Sequence, residues 1–185
     1  MVVLGAGGAT AGGVISAGAG VSARSTTATR GDTRISSRDS AAAEARLAAR
    51  GVRVTARATD DASDCVAHSY GQVQDFFRRH PCSALVRAQL ELQDRRGDVV
   101  LVPIAWVEMP TADEAGALKT LLDGSGTGNI TELSREQGRY RSVRYAGSAY
   151  ASRLDGRIVV NAQAEPVARG WTGLALSTVV SNAIN

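Results

Sequence analysis

The sequence predicts an α+β fold: an antiparallel sheet of about four strands from two hairpins, with helices packed mainly on one face, in the order helix, hairpin, helix, hairpin, helix. Three observations carry that expectation. Ala88, Leu90 and Leu92 alternate with Gln89, Glu91 and Gln93, and the turn-forming Asp94-Arg95-Arg96-Gly97-Asp98 leads into an apolar run over residues 99–109. A second strand pair, 140–153 and 157–165, flanks Leu154-Asp155-Gly156, where Asp-Gly supplies hairpin turn chemistry. Around these pairs, apolar residues recur at the spacing of a helix rather than a strand.

Taken in order, residues 1–23 carry no charged side chain and include seven glycines. A bilayer core about 30 Å thick takes about 20 apolar residues as a helix, so the length suffices, although glycine weakens both helix propensity and transfer to lipid. Val21-Ser22-Ala23 has the small-x-small pattern that precedes a signal cleavage point, and Gly8 and Gly12 would allow close helix packing in lipid. The segment therefore reads as a signal or membrane anchor. Val2-Val3-Leu4-Gly5-Ala6-Gly7-Gly8 imitates the glycine turn of a dinucleotide fold, but Thr10 stands where the third glycine belongs. Arg24, Arg30, Arg34 and Arg38 follow the apolar stretch, and by the positive-inside rule they argue for a cytoplasmic arm. A basic leader upstream of Met1 would remove that conflict.

Residues 24–61 read as a basic Ser/Thr/Arg linker holding a short Ala-rich helix, capped by Asp39 or Ser40 and ending before Gly51. Val52, Val54, Ala56 and Ala58 then alternate with Arg53, Thr55, Arg57 and Thr59, as in a half-exposed strand. The globular domain is expected over 62–185. Its first helix starts at the capping box Ser69-x2-Gln72, carries Tyr70, Val73, Phe76 and Phe77, and stops before Pro81. A second box, Thr111-x2-Glu114 after Pro110, opens a helix with Ala115, Leu118, Leu121 and Leu122 on one side. Beyond Pro166 and Gly170, Trp171, Leu174, Ala175, Val179 and Ala183 mark a terminal helix.

Composition limits what this domain can be. Hydrophobic residues make up 44% and aromatics 4%, so the core must be built from small aliphatic side chains. Residues 24–57 hold eight arginines against Asp32, Asp39 and Glu44, while 58–185 hold thirteen basic against fifteen acidic groups. The excess charge belongs to the arm. No basic run is interleaved with aromatics, which argues against nucleic-acid binding.

Both cysteines and both histidines fall in one window, as Cys65, His68, His80 and Cys82. Three chemistries compete for it. A helix of about 15 Å between flexible flanks lets Cys65 and Cys82 approach to the ~5.5 Å that a disulfide wants. Cys65, His68, His80 and Cys82 could instead hold zinc in an intracellular interaction domain, although His80-x-Cys82 is tighter than the usual second half of such a site. A nucleophilic Cys-His pair oriented by Asp64 or Asp75, or a serine hydrolase, is the third possibility; no signature supports it.

Two weaker patterns remain. Residues 123–131 resemble half of an EF-hand loop, with Asp123, Ser125 and Thr127 as oxygen ligands and Gly128 at the turn, but Ser134 occupies the position of the bidentate glutamate. The resemblance implies at most a weak calcium site; a helix cap at Gly124 followed by a surface loop is the plainer reading. Tyr140, Arg141, Arg144 and Tyr145 could line a binding face, and a solvated strand edge explains them as well.

The order of features is similar to that of uncharacterised exported or single-pass membrane proteins of actinobacteria: the Ala/Gly-rich start, the Arg/Ser/Thr linker, Cys65 and His68-Ser69-Tyr70-Gly71 before Pro81-Cys82, and Ala105-Trp106-Val107 before Met109-Pro110. That likeness spans about residues 60–165 and implies no known activity. The functional expectation is an extracytoplasmic, tethered or secreted binding module without a cofactor or a reaction of its own, meeting a protein or an envelope component.

Overall fold

The computed structural model describes residues 35–185, so the expected signal or anchor at 1–23 and the first part of the arm lie outside the described residues. The first helix, α1 (Ser37–Ala49), starts a turn earlier than Asp39 or Ser40 would allow as caps. Ser36 is its N-cap, and the Asp39 carboxylate accepts from the Ser36 backbone N–H at 2.8 Å. Ala43 and Leu47 are buried beneath it.

The chain then runs through β1 (Arg53–Ala62), β2 (Ser69–Tyr70), α2 (Gly71–Arg79), β3 (Ala84–Gln93), β4 (Val99–Glu108), α3 (Ala112–Leu122), β5 (Gly128–Ile130), α4 (Leu133–Glu136), β6 (Tyr150–Asp155), β7 (Ile158–Gln163), β8 (Glu165–Pro166) and α5 (Leu176–Ile184). The main sheet is antiparallel, six-stranded and ordered β1-β3-β4-β7-β6, with β8 also paired to β4. Strands β2 and β5 form a separate two-stranded ribbon. The α+β class and both hairpins match the sequence-based expectation.

Several finer expectations change. The sheet has six strands rather than about four, because β1 pairs with β3, from Arg53 opposite Gln93 to Ala62 opposite Leu85, and the short β8 adds to β4. The folded body thus begins well before residue 62. Residues 55–59 are exposed, as befits an edge strand, and that exposure makes the segment look like a linker in the sequence.

Helices also cover both faces instead of one. Alternate residues Val86, Ala88, Leu90 and Leu92 of β3 and Val100, Val102, Ile104 and Trp106 of β4 pack with α1 and α5. On the reverse face, Leu85, Ala105, Val107 and Val159 pack with Val73 and Phe77 of α2 and Leu118 and Leu122 of α3. The reason is compositional: β4 is apolar on both sides, and a strand of that kind needs cover above and below.

Two boundaries move as well. Residues 140–149 form turns, bends and irregular chain rather than strand, and the terminal helix starts at Leu176, with Trp171 left in a preceding loop. The Thr111 cap forms as the sequence predicts: its Oγ1 accepts from the Glu114 N–H at 3.2 Å. The Ser69 box does not. Ser69 Oγ donates to the Cys65 carbonyl at 2.6 Å instead, and α2 starts at Gly71 without a side-chain cap. Gly71 has φ +65° and crosses Gly128 so closely that a Cβ on Gly71 would stand 2.9 Å from the Thr127 carbonyl oxygen. Glycine at 71 is therefore required twice, by conformation and by space.

Candidate functional site

Strand register divides the face under α2 and α3 into an apolar and a polar half. Ala62, Leu85, Val107 and Val159 lie side by side, with α2 and α3 packed above them. One pleat further along, the neighbours are Asp60, Arg87, Ala105, Asn161 and Ser152. After another pleat, Gln89 lies opposite Pro103 and Gln163 opposite Tyr150. Strand β7 leaves β4 at Ile104 and the chain rejoins it as β8 at Leu101 and Val100. Pro103 lies in that gap and has no N–H to offer a ladder.

The polar half is nevertheless buried. The β2-β5 ribbon, α4 and the loop over 137–149 cover it, leaving Arg87 2% and Glu132 4% exposed. Arg87 gathers the covering elements onto β3. It donates from Nη2 to Asp60 Oδ2 at 2.6 Å and to Glu136 Oε2 at 2.7 Å, and from Nη1 to the Thr131 carbonyl at 3.0 Å. Burial alone would disfavour its charge, but the bonds to Glu136 and Asp60 outweigh burial and raise its pKa. Glu136 is held below the usual carboxylate range: Arg87 and His68 more than offset its desolvation.

A second cluster follows α4. Glu132 Oε1 accepts from Gln163 Nε2 at 3.0 Å, while, among the described residues, buried Oε2 has no hydrogen bond and faces Arg135 Nη1 at 3.6 Å. Burial pushes the Glu132 carboxyl above its ordinary pKa. Tyr145 lies between Ser134 Oγ, at 2.8 Å, and Gln89 Oε1, at 3.3 Å, and burial pushes its phenol up to about 12. Asn161 Nδ2 donates to Asn129 Oδ1 at 2.7 Å. The cavity bordered by Glu132, Asn129, Asn161 and Gln163 is about 20 Å³. That is room for a single water and not for an organic substrate. The chemistry of this half is proton holding and hydrogen bonding inside a closed polar core.

The residues singled out in the sequence are separated rather than gathered. Cys65 and Cys82 form a disulfide with Cα atoms 6.2 Å apart, bracketing α2. The four-ligand zinc alternative is not assembled, because the bond consumes both thiols and the histidines go elsewhere. His68 Nδ1 lies 3.0 Å from Glu136 Oε1, and His80 Nδ1 lies 3.2 Å from Glu114 Oε1 with its ring stacked on Phe76. The same bond leaves Cys65 no thiolate for nucleophilic chemistry.

The calcium look-alike is a cap and crossing. Asp123 pairs with Lys119 Nζ at 2.6 Å and accepts from Ser152 Oγ and Tyr150 OH, while Thr127 Oγ1 donates back to the Leu121 and Gly124 carbonyls. Its oxygens do not converge on one point. Among the described residues, no group of three or more His, Cys, Asp or Glu side chains is placed to hold a metal. Of the proposed binding face, Tyr145 points into the polar core, Tyr140 donates to Glu91 Oε2 at 3.2 Å, Arg141 donates to the Glu136 carbonyl, and Arg144 is exposed.

One constellation escaped the sequence reading. Trp171, treated there as the start of a helix, lines an open cleft of about 450 Å³ between the start of β1 and the β3-β4 turn, together with Arg50, Arg53 and Arg95. The available signal was Gly170-Trp171-Thr172-Gly173, whose two glycines argue against a helix through the tryptophan. No protein-family model, no curated protein and no solved structure matches the chain.

Proposed function

We propose that this chain is an extracytoplasmic binding module, tethered through residues 1–23 or secreted, that contacts a protein or envelope component and performs no reaction of its own. The Cys65–Cys82 disulfide carries the reading. Disulfides persist in oxidising compartments and are rare where glutathione and thioredoxin keep thiols reduced. Closing a loop across 17 positions stabilises by about 3 kcal/mol in the chain-entropy model, a large share of a domain's usual stability. Cys65 is 3% exposed and packs among Val73, Phe76 and Phe77, so the bond forms part of the core beneath α2.

The use made of polar groups supports the non-enzymatic part. Arg87, Asp60, Glu136 and His68 satisfy one another in holding the covering elements, and the cavity beside Glu132 takes one water. Contact with a partner therefore falls to the outer surface. Thiol titration of the full chain, purified without reductant and denatured, should find no free thiol before reduction and two after. Two free thiols at the outset would overturn the reading, and one bound zinc alongside them would favour the intracellular alternative.

A further inference from the structure

We infer that the cleft between Trp171 and the arginines Arg50, Arg53 and Arg95 binds a saccharide unit bearing a phosphate or carboxylate. The inference rests on the binding-module reading and names the chemistry of its envelope component. Its first support is the way Trp171 is held. The indole Nε1–H donates to the Leu174 carbonyl at 2.8 Å, and the ring packs so closely on Gly173 that a Cβ there would overlap its six-membered ring. Asp94, in the β3-β4 turn, accepts from both the N–H and the hydroxyl of Thr172, at 2.9 and 2.8 Å. Further bonds from the Arg96 and Asp98 N–H groups fix that carboxylate in the turn. The half-exposed ring is thus held within its own loop, and that loop is tied through Thr172 to the β3-β4 turn, before any ligand arrives, which lowers the ordering cost of binding.

Charge is the second support. Three arginines and one aspartate line the cleft, and that aspartate is already saturated by donors. Thr172 above all, with Asp98 and Arg96, holds the Asp94 carboxyl down to about 2, so it stays ionised as part of the scaffold. Among the described residues, Arg50 shares only its side-chain Nε, with Asn182 Oδ1 at 3.1 Å. Arg53 and Arg95 are exposed and make no ion pair among the described residues. A guanidinium free of a carboxylate partner presents a planar fork matched to phosphate or carboxylate oxygens.

Shape and lining chemistry narrow the ligand. A volume of about 450 Å³ suits one or two sugar rings. Trp171, Val52 and Leu174 give an apolar wall for the C–H face of a ring, while Gly51 and Gly173 bring exposed backbone within reach of hydroxyls. An ion without a ring would leave that wall unused.

The test is a titration of the oxidised full chain, followed by tryptophan fluorescence, with a hexose phosphate, a hexuronate, the parent hexose, inorganic phosphate and a nucleoside monophosphate as separate arms. Trp171 is the half-exposed tryptophan and Trp106 is buried, so a ligand at the cleft perturbs the former. The hexose phosphate or the hexuronate should bind at least about tenfold more tightly than the parent hexose or phosphate alone, a gap of about 1.4 kcal/mol. Arg53→Gln and Arg95→Gln should each weaken binding about tenfold. Trp171→Phe should weaken it less than Trp171→Ala, both measured by isothermal titration calorimetry because these variants lack the fluorescent reporter, with near-native circular dichroism and thermal unfolding required of each. Equal binding of the neutral hexose, equal binding of bare phosphate, tighter binding of the nucleotide, or arginine variants with unchanged affinity would each overturn the inference. Loss of binding with the disulfide intact sinks the cleft alone, whereas free thiols with binding retained sink the compartment alone.

Discussion

The two faces of one sheet solve the same burial problem with different chemistry. Beneath α1 and α5, β3, β4 and β7 present aliphatic side chains and Trp106, and the helices close over them. Arg46 pins the pair by donating to the Asn182 and Ala183 carbonyls at the end of α5, where a cation meets unsatisfied backbone oxygens. The opposite face begins the same way under α2 and α3 and then changes within one pleat, from Leu85, Val107 and Val159 to Arg87 and Asn161. Helix packing serves the apolar part. The polar part is covered by irregular chain and one short helix, whose Thr131 carbonyl, Glu132 and Glu136 carboxylates and Tyr145 hydroxyl supply partners to Arg87, Gln89 and Gln163. Short strands, one-turn helices and loops suit a surface that must be paired group by group, whereas regular helices suit one that needs only to be excluded from water.

Substitutions can break this contrast in graded steps. Phe77→Ala, at a fully buried side chain beneath α2, should destabilise by about 3–5 kcal/mol in chemical denaturation; a loss below about 1 kcal/mol would mean that the α2 side is not a true core. Arg87→Ala should destabilise by about 2–4 kcal/mol because Asp60 and Glu136 lose their shared cation, and adding Glu136→Gln should recover part of that loss. Strict additivity in that double-mutant cycle would show the two groups to be uncoupled. Replacing both Cys65 and Cys82 with serine should remove about 3 kcal/mol, read as a lower denaturant midpoint. Tyr145→Phe should cost about 1 kcal/mol, since one hydroxyl serves Ser134 and Gln89 while the ring keeps its packing.

The smallest test is also the most specific to the polar half. Glu132 has a raised pKa when folded, so the stability it contributes is fully present below its unfolded pKa and is lost as pH rises through the folded value. Glu136 and Asp94 are depressed when folded and behave oppositely, contributing above their unfolded pKa and losing that contribution as pH falls through the folded one. Melting temperatures of the native chain and of Glu132→Gln should therefore diverge with rising pH, the glutamine variant becoming relatively more stable. Parallel curves from pH 4 to pH 8 would remove Glu132 as a buried, hydrogen-bond-poor carboxylate.

How much of this was legible can be judged from particular elements. Alternation along 88–93 and the Asp155-Gly156 turn identified hairpins because both signals are local and act within a few residues. The Thr111 cap was legible for the same reason. By contrast, the Ser69 box failed because the Cys65 carbonyl competed for its hydroxyl, a contact made where the chain turns into α2. Arg87, Gln89, Asn161 and Gln163 alternate with aliphatic residues, a pattern shared with strands that have one solvated face. Only the cover from 129–149 places them inside. The Trp171 cleft was hidden for a related reason: its lining comes from the end of α1, the start of β1, the β3-β4 turn and the loop before α5.

By itself, the sequence determined the α+β class, the hairpins and the small-side-chain core and made the approach of Cys65 to Cys82 feasible, all of which depend on composition, periodicity and short loops. Tertiary structure alone decided the number of strands, the second covered face, the choice of disulfide over a four-ligand site, and the burial of Arg87 and Glu132. The physical reason is range. A turn or an amphipathic stripe is favoured or disfavoured by its own residues, whereas the fate of a polar side chain on a strand depends on which distant segment arrives above it with matching donors and acceptors.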